Sequence, residues 1–182
     1  HKLDSIFPIS NAGSLILNDS SKIQTLDAKF IPNLTQENPF GIHLTNNDLH
    51  ISENLNLNTG IFKTNSQLLH IHNTASISGA YSNSIHINGW VRKYGNSAFL
   101  FPLGDSNTYA PISITAPSNA SDHFTAKYFN ASPNFDYPIN TKQNSIHHIS
   151  NCEFWMLNRT GGSSDVHVTL SYEYLRSCGV NN

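Results

Sequence analysis

Residues 47–62, NDLHISENLNLNTGIF, and residues 65–81, NSQLLHIHNTASISGAY, read as two versions of one unit: a short alternating run, a polar corner, a second short run and a glycine-marked turn. In the first version Leu49 and Ile51, then Leu55 and Leu57, alternate with polar neighbours before Asn58-Thr59-Gly60 turns the chain. Alternation with period two marks a strand with one buried face. The second version repeats the pattern with Leu69, Ile71 and Ile77, at an offset of about 20 residues. That spacing suits a β-solenoid, whose coils cover their apolar side chains only by stacking, leaving outward positions free to be Asn, Ser or His. An ordinary meander or sandwich is the competing architecture.

Similar short runs extend outward from these units, at Leu15-Ile16-Leu17, Ile42 with Leu44, Ile61-Phe62 and Ile85 with Ile87. Phe30 to Phe40, FIPNLTQENPF, interrupts them with two prolines and reads as a protruding loop or a cap on the first coil. The segment WVRKYGNSAFLFPLGDSNTYAP, residues 90–111, combines a Gly95-Asn96 turn, the alternation Phe99, Phe101, Leu103 and a Gly104-Asp105 turn, the pattern of a hairpin. Beyond Ala116-Pro117-Ser118-Asn119 the alternating runs lengthen, at FTAKYF (124–129), Phe154 to Leu157 and VHVTLSYEY (166–174), with an Asn- and Pro-rich connection over 130–145. The expected fold is therefore all-β: a short, parallel β-helix-like solenoid over 1–89, a capping hairpin or junction over 90–116 and a partial β-sandwich over 117–182. So few strands lead us to expect that the sandwich continues beyond the chain end or is completed by a partner.

The composition agrees. Of 182 residues, 38% are hydrophobic, enough for a core, while only 12% are charged, so Asn, Ser and Thr carry the polar load. The net charge is -2 and the ten Lys and Arg are scattered, so no basic stripe for a nucleic-acid backbone is legible and polyanion binding is not expected. No apolar run approaches the ~20 residues of a membrane span, and HKLDSIFPIS lacks the apolar core of a signal peptide. Cys152 and Cys178 fit one disulfide in an oxidising compartment, or else two buried thiols. Neither has the CxxC or CxxH neighbour of a zinc site.

Two stretches carry a resemblance. In GWVRKYGNSAFLFPLGDSNTYAP, Gly89, Val91, Arg92, Lys93, Gly95, Phe99, Phe101, Pro102, Gly104, Asp105, Tyr109 and Pro111 form one motif. In CEFWMLNRTGGSSDVHVTLSYEYLRSCGV the second motif holds Cys152, Glu153, Trp155, Leu157, Arg159, Thr160, Gly162, Ser164, Val166, Val168, Thr169, Leu170, Cys178, Gly179 and Val180. Together they resemble a module of large secreted and surface proteins of Bacteroidetes, many of them exported by the type IX secretion route. The resemblance covers about half the chain, from about Ile85 to the end, and departs from the family at Ala110, where an arginine is frequent. It implies an extracellular or outer-cell-surface location in an adhesin-like, filamentous or enzyme-linked protein. The implied partners are other domains of the same larger protein, cell-surface or polysaccharide ligands, or a secretion and assembly partner; no nucleic acid and no membrane span are expected.

Candidate sites are few. Trp90, Tyr94 and Tyr109, with Tyr81, are aromatics able to stack on sugars. His70 and His72 stand one strand-step apart, with His43, His50 and His86 on neighbouring runs, and are the candidates for a zinc or copper chelate, against a plain reading as outward polar residues. His147-His148 alternate to opposite faces. Asp105 is a candidate calcium ligand, against a role in its own turn; otherwise no cofactor is expected. Glu153 and Arg159 are expected to pair across adjacent strands, and Trp155 to pack beside the cysteines. No catalytic residue is assigned, because there is no GxSxG and no carboxylate pair in a hydrolase-like motif. The expected function is a non-catalytic extracellular surface scaffold or adhesin-like piece. A carbohydrate-binding module of a polysaccharide-degrading system is the alternative, and a β-solenoid polysaccharide lyase or hydrolase the third reading.

Overall fold

A computed structural model describes residues 3–4, 13–146, 149–174 and 176–178; His147-His148 and the Gly179-Val180 end of the second motif lie outside the described residues. The protein is all-β, with a solenoid of about four turns and additional sheets. Its first nine strands are β1 (Leu3–Asp4), β2 (Ser14–Leu17), β3 (Gln24–Asp27), β4 (Phe30–Gln36), β5 (Ile42–Leu44), β6 (Leu49–Leu57), β7 (Phe62–Ile71), β8 (Ser76–Gly79) and β9 (Ile87–Tyr94). All their mutual pairings are parallel.

Three ladders run along the solenoid. One stacks β3, β5 and the starts of β7 and β9. A second stacks the starts of β4 and β6 on the ends of β7 and β9, and the third stacks β2, the ends of β4 and β6, and β8. The longer strands bend round corners: β7 changes partners between Lys63 and Leu68, where Asn65 takes φ 55° and donates to the Leu44 carbonyl (2.7 Å).

Stacking places like on like. Ile31, Ile51 and Ile71 form one inward row, Leu49, Leu69 and Val91 another, and all six are buried. Each such side chain contributes about 2 kcal/mol by leaving water. Outward rows are hydrogen-bonded instead: Asn54 donates to Asn33 (3.1 Å), Ser76 donates to Asn54 (2.7 Å), and Asn56 donates to Thr35 (3.4 Å). The abundance of Asn and Ser is thus an inter-coil ladder. At one corner Gly60 has φ 79°, and a Cβ there would lie 2.1 Å from the Asn38 carbonyl oxygen.

The proline-containing segment 30–40 is no loop. Its first seven residues are β4, a strand between β2 and β6 with Ile31, Leu34 and Gln36 buried. Pro32 is tolerated because the β4–β6 register shifts between Ile31 and Asn33, where no ladder hydrogen bond is required of it.

Seven further strands follow: β10 (Phe99–Phe101), β11 (Gly104–Asp105), β12 (Thr108–Tyr109), β13 (Ile112–Ile114), β14 (His123–Phe129), β15 (Phe154–Gly161) and β16 (Val168–Leu170). Strands β10 to β13 form a hairpin inside the expected 90–116, with β10 against β13 and β11 against β12. Trp90 and Arg92 lie outside it, on β9, which crosses residue 89 as the last coil strand. Strand β14 pairs antiparallel with β9, and β15 with β14, so the solenoid sheet runs on without a break. Inward residues of β14 and β15 pack with Phe101, Ile112 and Ile114 in one core. The last run is shorter than its alternation suggests: only Val168–Leu170 is strand, and Val168 and Leu170 are 47% and 50% exposed although in register with the buried Ile114 and Ile112.

Candidate functional site on the outer sheet face

Burial along β9 alternates strictly, so Ile87, Gly89, Val91 and Lys93 point inward and Asn88, Trp90, Arg92 and Tyr94 outward. Gly89 has no room for a side chain: a Cβ would meet Thr64 Oγ1 at 1.9 Å, and that oxygen accepts from the Trp90 N–H (3.1 Å). The register then carries the outward row across the sheet, from His50 to His70 to Arg92 to Thr125 to Asn158. Rows on either side hold His72, Tyr94 and His123, and Leu68, Trp90, Lys127 and Met156.

At one end of this face lie aromatics and a cation. The Lys127 ammonium sits 4.6 Å from the Phe129 ring centre and 5.6 Å from that of Trp90. Phe129 meets Trp90 edge-on at 6.1 Å and stacks on Phe154 at 4.5 Å, with Tyr137 against Phe154 at 6.2 Å. A cleft of 380 Å³ adjoins them, lined by Pro133, Tyr137, Phe154, Met156 and neighbours. In sequence, Lys127, Phe129 and Phe154 register only as strand residues; the signal that finds them is their phase, outward on strands that continue the Trp90 row.

The other end is imidazole-rich. His50 stacks on His70 with ring centres 4.0 Å apart, His50 Nδ1 faces His72 Nε2 at 3.1 Å, and His70 Nδ1 lies 2.9 Å from the Tyr94 hydroxyl. Asp48 Oδ2 is 3.5 Å from His70 Nε2. His70 and His72, expected as a possible chelating pair, thus use different partners, and among the described residues no group of three His, Cys, Asp or Glu is arranged for a metal. Burial lowers the pKa of His50, His70 and His72, that of His70 to about 4, helped by the neighbouring His50. Burial, then Arg92, lowers that of His123, whose Nδ1 lies 2.8 Å from Thr160 Oγ1.

Trp90 and Tyr94 therefore share a face, but Tyr109 does not join them. It sits on β12 with its ring 6.0 Å from that of Tyr81, and burial followed by the Tyr81 charge pushes its hydroxyl up to about 12. Asp105 also has another role. Its Oδ1 accepts from Asn88 Nδ2 (3.1 Å) and its Oδ2 from the Asn130 N–H (3.4 Å), tying the hairpin to β9 and β14.

Cys152 and Cys178 form a disulfide, with Cα atoms 5.8 Å apart. Glu153 beside it does not pair with Arg159. Buried at 2% exposure, it accepts from Arg176 Nε (2.5 Å), Tyr128 Oη (2.9 Å) and Ser177 Oγ. Arg159 instead donates to the Ser163 and Ser164 carbonyls and to Asp165. Trp155 packs on Tyr128 and the Arg176 guanidinium and donates to the Ala110 carbonyl (2.9 Å). Many motif positions thus hold the junction together. No family model, curated protein or solved structure matches the chain, and no helix among the described residues is long and apolar enough to cross a membrane.

Proposed function

We propose that the chain is a non-catalytic, extracellular, adhesin-like scaffold whose outer sheet face binds carbohydrate. The observation that carries this reading is the platform of Trp90, Phe129 and Phe154, partly exposed on the outward side of β9, β14 and β15. The outward edges of such a cluster offer apolar surface to the C–H faces of sugar rings. They are held on a sheet continuous with the solenoid, so the platform is rigid before any ligand arrives and loses little entropy on binding. The disulfide suits an oxidising, extracytoplasmic compartment.

The likeness to Bacteroidetes surface modules supports the same location. Its motif residues Gly89, Lys93, Glu153 and Arg159 hold backbone and corner geometry, as expected of a structural module carried in a longer surface protein.

Depletion of the protein by insoluble polysaccharides and binding to a glycan array test the reading. Saturable binding that weakens about tenfold, or 1.4 kcal/mol, in Trp90→Ala and Phe129→Ala is expected. Phe40→Ala, at an exposed solenoid corner, should leave it unchanged. Binding unaffected by either platform substitution, or no binding to any glycan, contradicts it.

A further inference from the structure

The ten Lys and Arg are scattered in sequence, yet the fold brings two of them to the platform with no acidic residue between. Trp90, Arg92 and Tyr94 are successive outward positions of β9, and Lys127 stands on the paired strand β14. Arg92 is fixed by a 2.8 Å bond from Nε to Thr125 Oγ1, which itself lies 2.9 Å from Thr160 Oγ1. Among the described residues, its terminal Nη groups make no hydrogen bond. The guanidinium is thus oriented through one edge while its two-pronged end is left for something else.

Two carboxylates close to this sheet already have partners. Asp48 Oδ1 accepts from the Leu68 N–H (2.8 Å) and its other oxygen faces His70, while Asp105 bridges Asn88 and Asn130. Arg92 and Lys127 thus outnumber the one carboxylate, Asp48, that meets the outward row, a local excess of positive charge in a chain whose net charge is -2.

Resting on the carbohydrate reading above, we infer that the ligand is an acidic glycan, with a sugar ring against the outward edges of the Trp90, Phe129 and Phe154 cluster and its carboxylate on Arg92 and Lys127. A planar carboxylate matches the forked Nη donors bidentately, and an ammonium already seated between two aromatic rings is a point charge that strengthens the contact without needing to be recruited.

Binding isotherms would be measured with polygalacturonate, methyl-esterified polygalacturonate, neutral dextran, dextran sulfate and a single-stranded polynucleotide. The inference expects polygalacturonate to bind best and to lose about tenfold on esterification. It expects a similar loss in Arg92→Gln and in Lys127→Gln, with thermal melting unchanged. Equal binding of the ester or of dextran, or wild-type affinity in both variants, overturns the acidic specificity while leaving a carbohydrate site in place. Tighter binding of dextran sulfate or of the polynucleotide overturns the carboxylate assignment. Loss of all glycan binding, or indifference to Trp90→Ala, instead removes the reading on which it rests.

Discussion

Lys93 continues the inward row begun by Ile31, Ile51 and Ile71, where an aliphatic side chain would be expected, and is only 3% exposed. Its three N–H groups go to the carbonyls of His72 (2.6 Å), Asn73 (2.8 Å) and Ala75 (2.9 Å), at the corner leading into β8, which among the described residues pairs only with β6. One coil earlier the equivalent Ser52 carbonyl faces the Thr74 hydroxyl of the following coil (3.5 Å). Burial brings the Lys93 pKa down to about 8, which still leaves it charged at neutral pH. Lys93→Met keeps the alkyl stem but orphans three buried carbonyls, and should lower unfolding stability by about 3 kcal/mol in denaturant titration. A loss under ~0.5 kcal/mol would mean that water takes over the capping. The basic pair Arg92-Lys93 is visible in sequence as a pair of cations. Only strand phase separates them, sending one outward to the sheet face and the other inward to the backbone.

At the scale of the element, β15 and the segment that follows it depend on a small polar core. Glu153, Tyr128, Arg176 and Ser177 converge there beside the disulfide, and Arg176 further donates to the Tyr109 and Ser171 carbonyls. Closing a loop of 26 residues stabilises by about 3.5 kcal/mol in the chain-entropy description. The double variant Cys152→Ser/Cys178→Ser should therefore lose about that much stability. The loss should be local, because in a solenoid each coil contacts only its neighbours. Hydrogen exchange is expected to speed in β15 and β16 while Leu49–Leu57 and Phe62–Ile71 stay protected; uniform acceleration would contradict that independence. The Pro-containing strand β4 carries a related lesson. Proline disfavours a strand interior locally, but one register shift removes the conflict, and nothing in the local sequence announces that shift.

Across the whole molecule the histidines set a pH limit. Six of them, His43, His50, His70, His72, His86 and His123, have pKa values lowered first of all by burial. A base whose folded pKa lies below its unfolded value binds protons more readily when unfolded, so its contribution is complete above the unfolded value of 6.5 and is lost as pH falls toward the folded one. For His70, with a folded value of about 4, the loss approaches ~3 kcal/mol below that pH. Unfolding stability should be flat from neutrality down to about pH 6.5 and then decline steeply. His70→Gln should make the decline shallower, and a profile the same in both proteins would argue against a neutral, buried His70.

The β-solenoid was legible because its period and its alternation are both local: each coil states which side chains face inward, and a repeat near one turn's length leaves stacking as the way to cover them. The hairpin expected over 90–116 was legible in part, its first residues belonging instead to β9, and the cysteine pair was narrowed to two alternatives by its spacing and composition. Only the tertiary structure decided that Glu153 meets Arg176 rather than Arg159, that residues 30–36 lie inside the sheet, and that Tyr109 stands apart from Trp90 and Tyr94. It alone joins Trp90 and Arg92 to Lys127 and Phe129. Alternation along a strand determines the face each residue occupies, whereas the neighbour it meets there depends on which distant strand stacks beside it and in what register, a choice made by the packing of the whole chain.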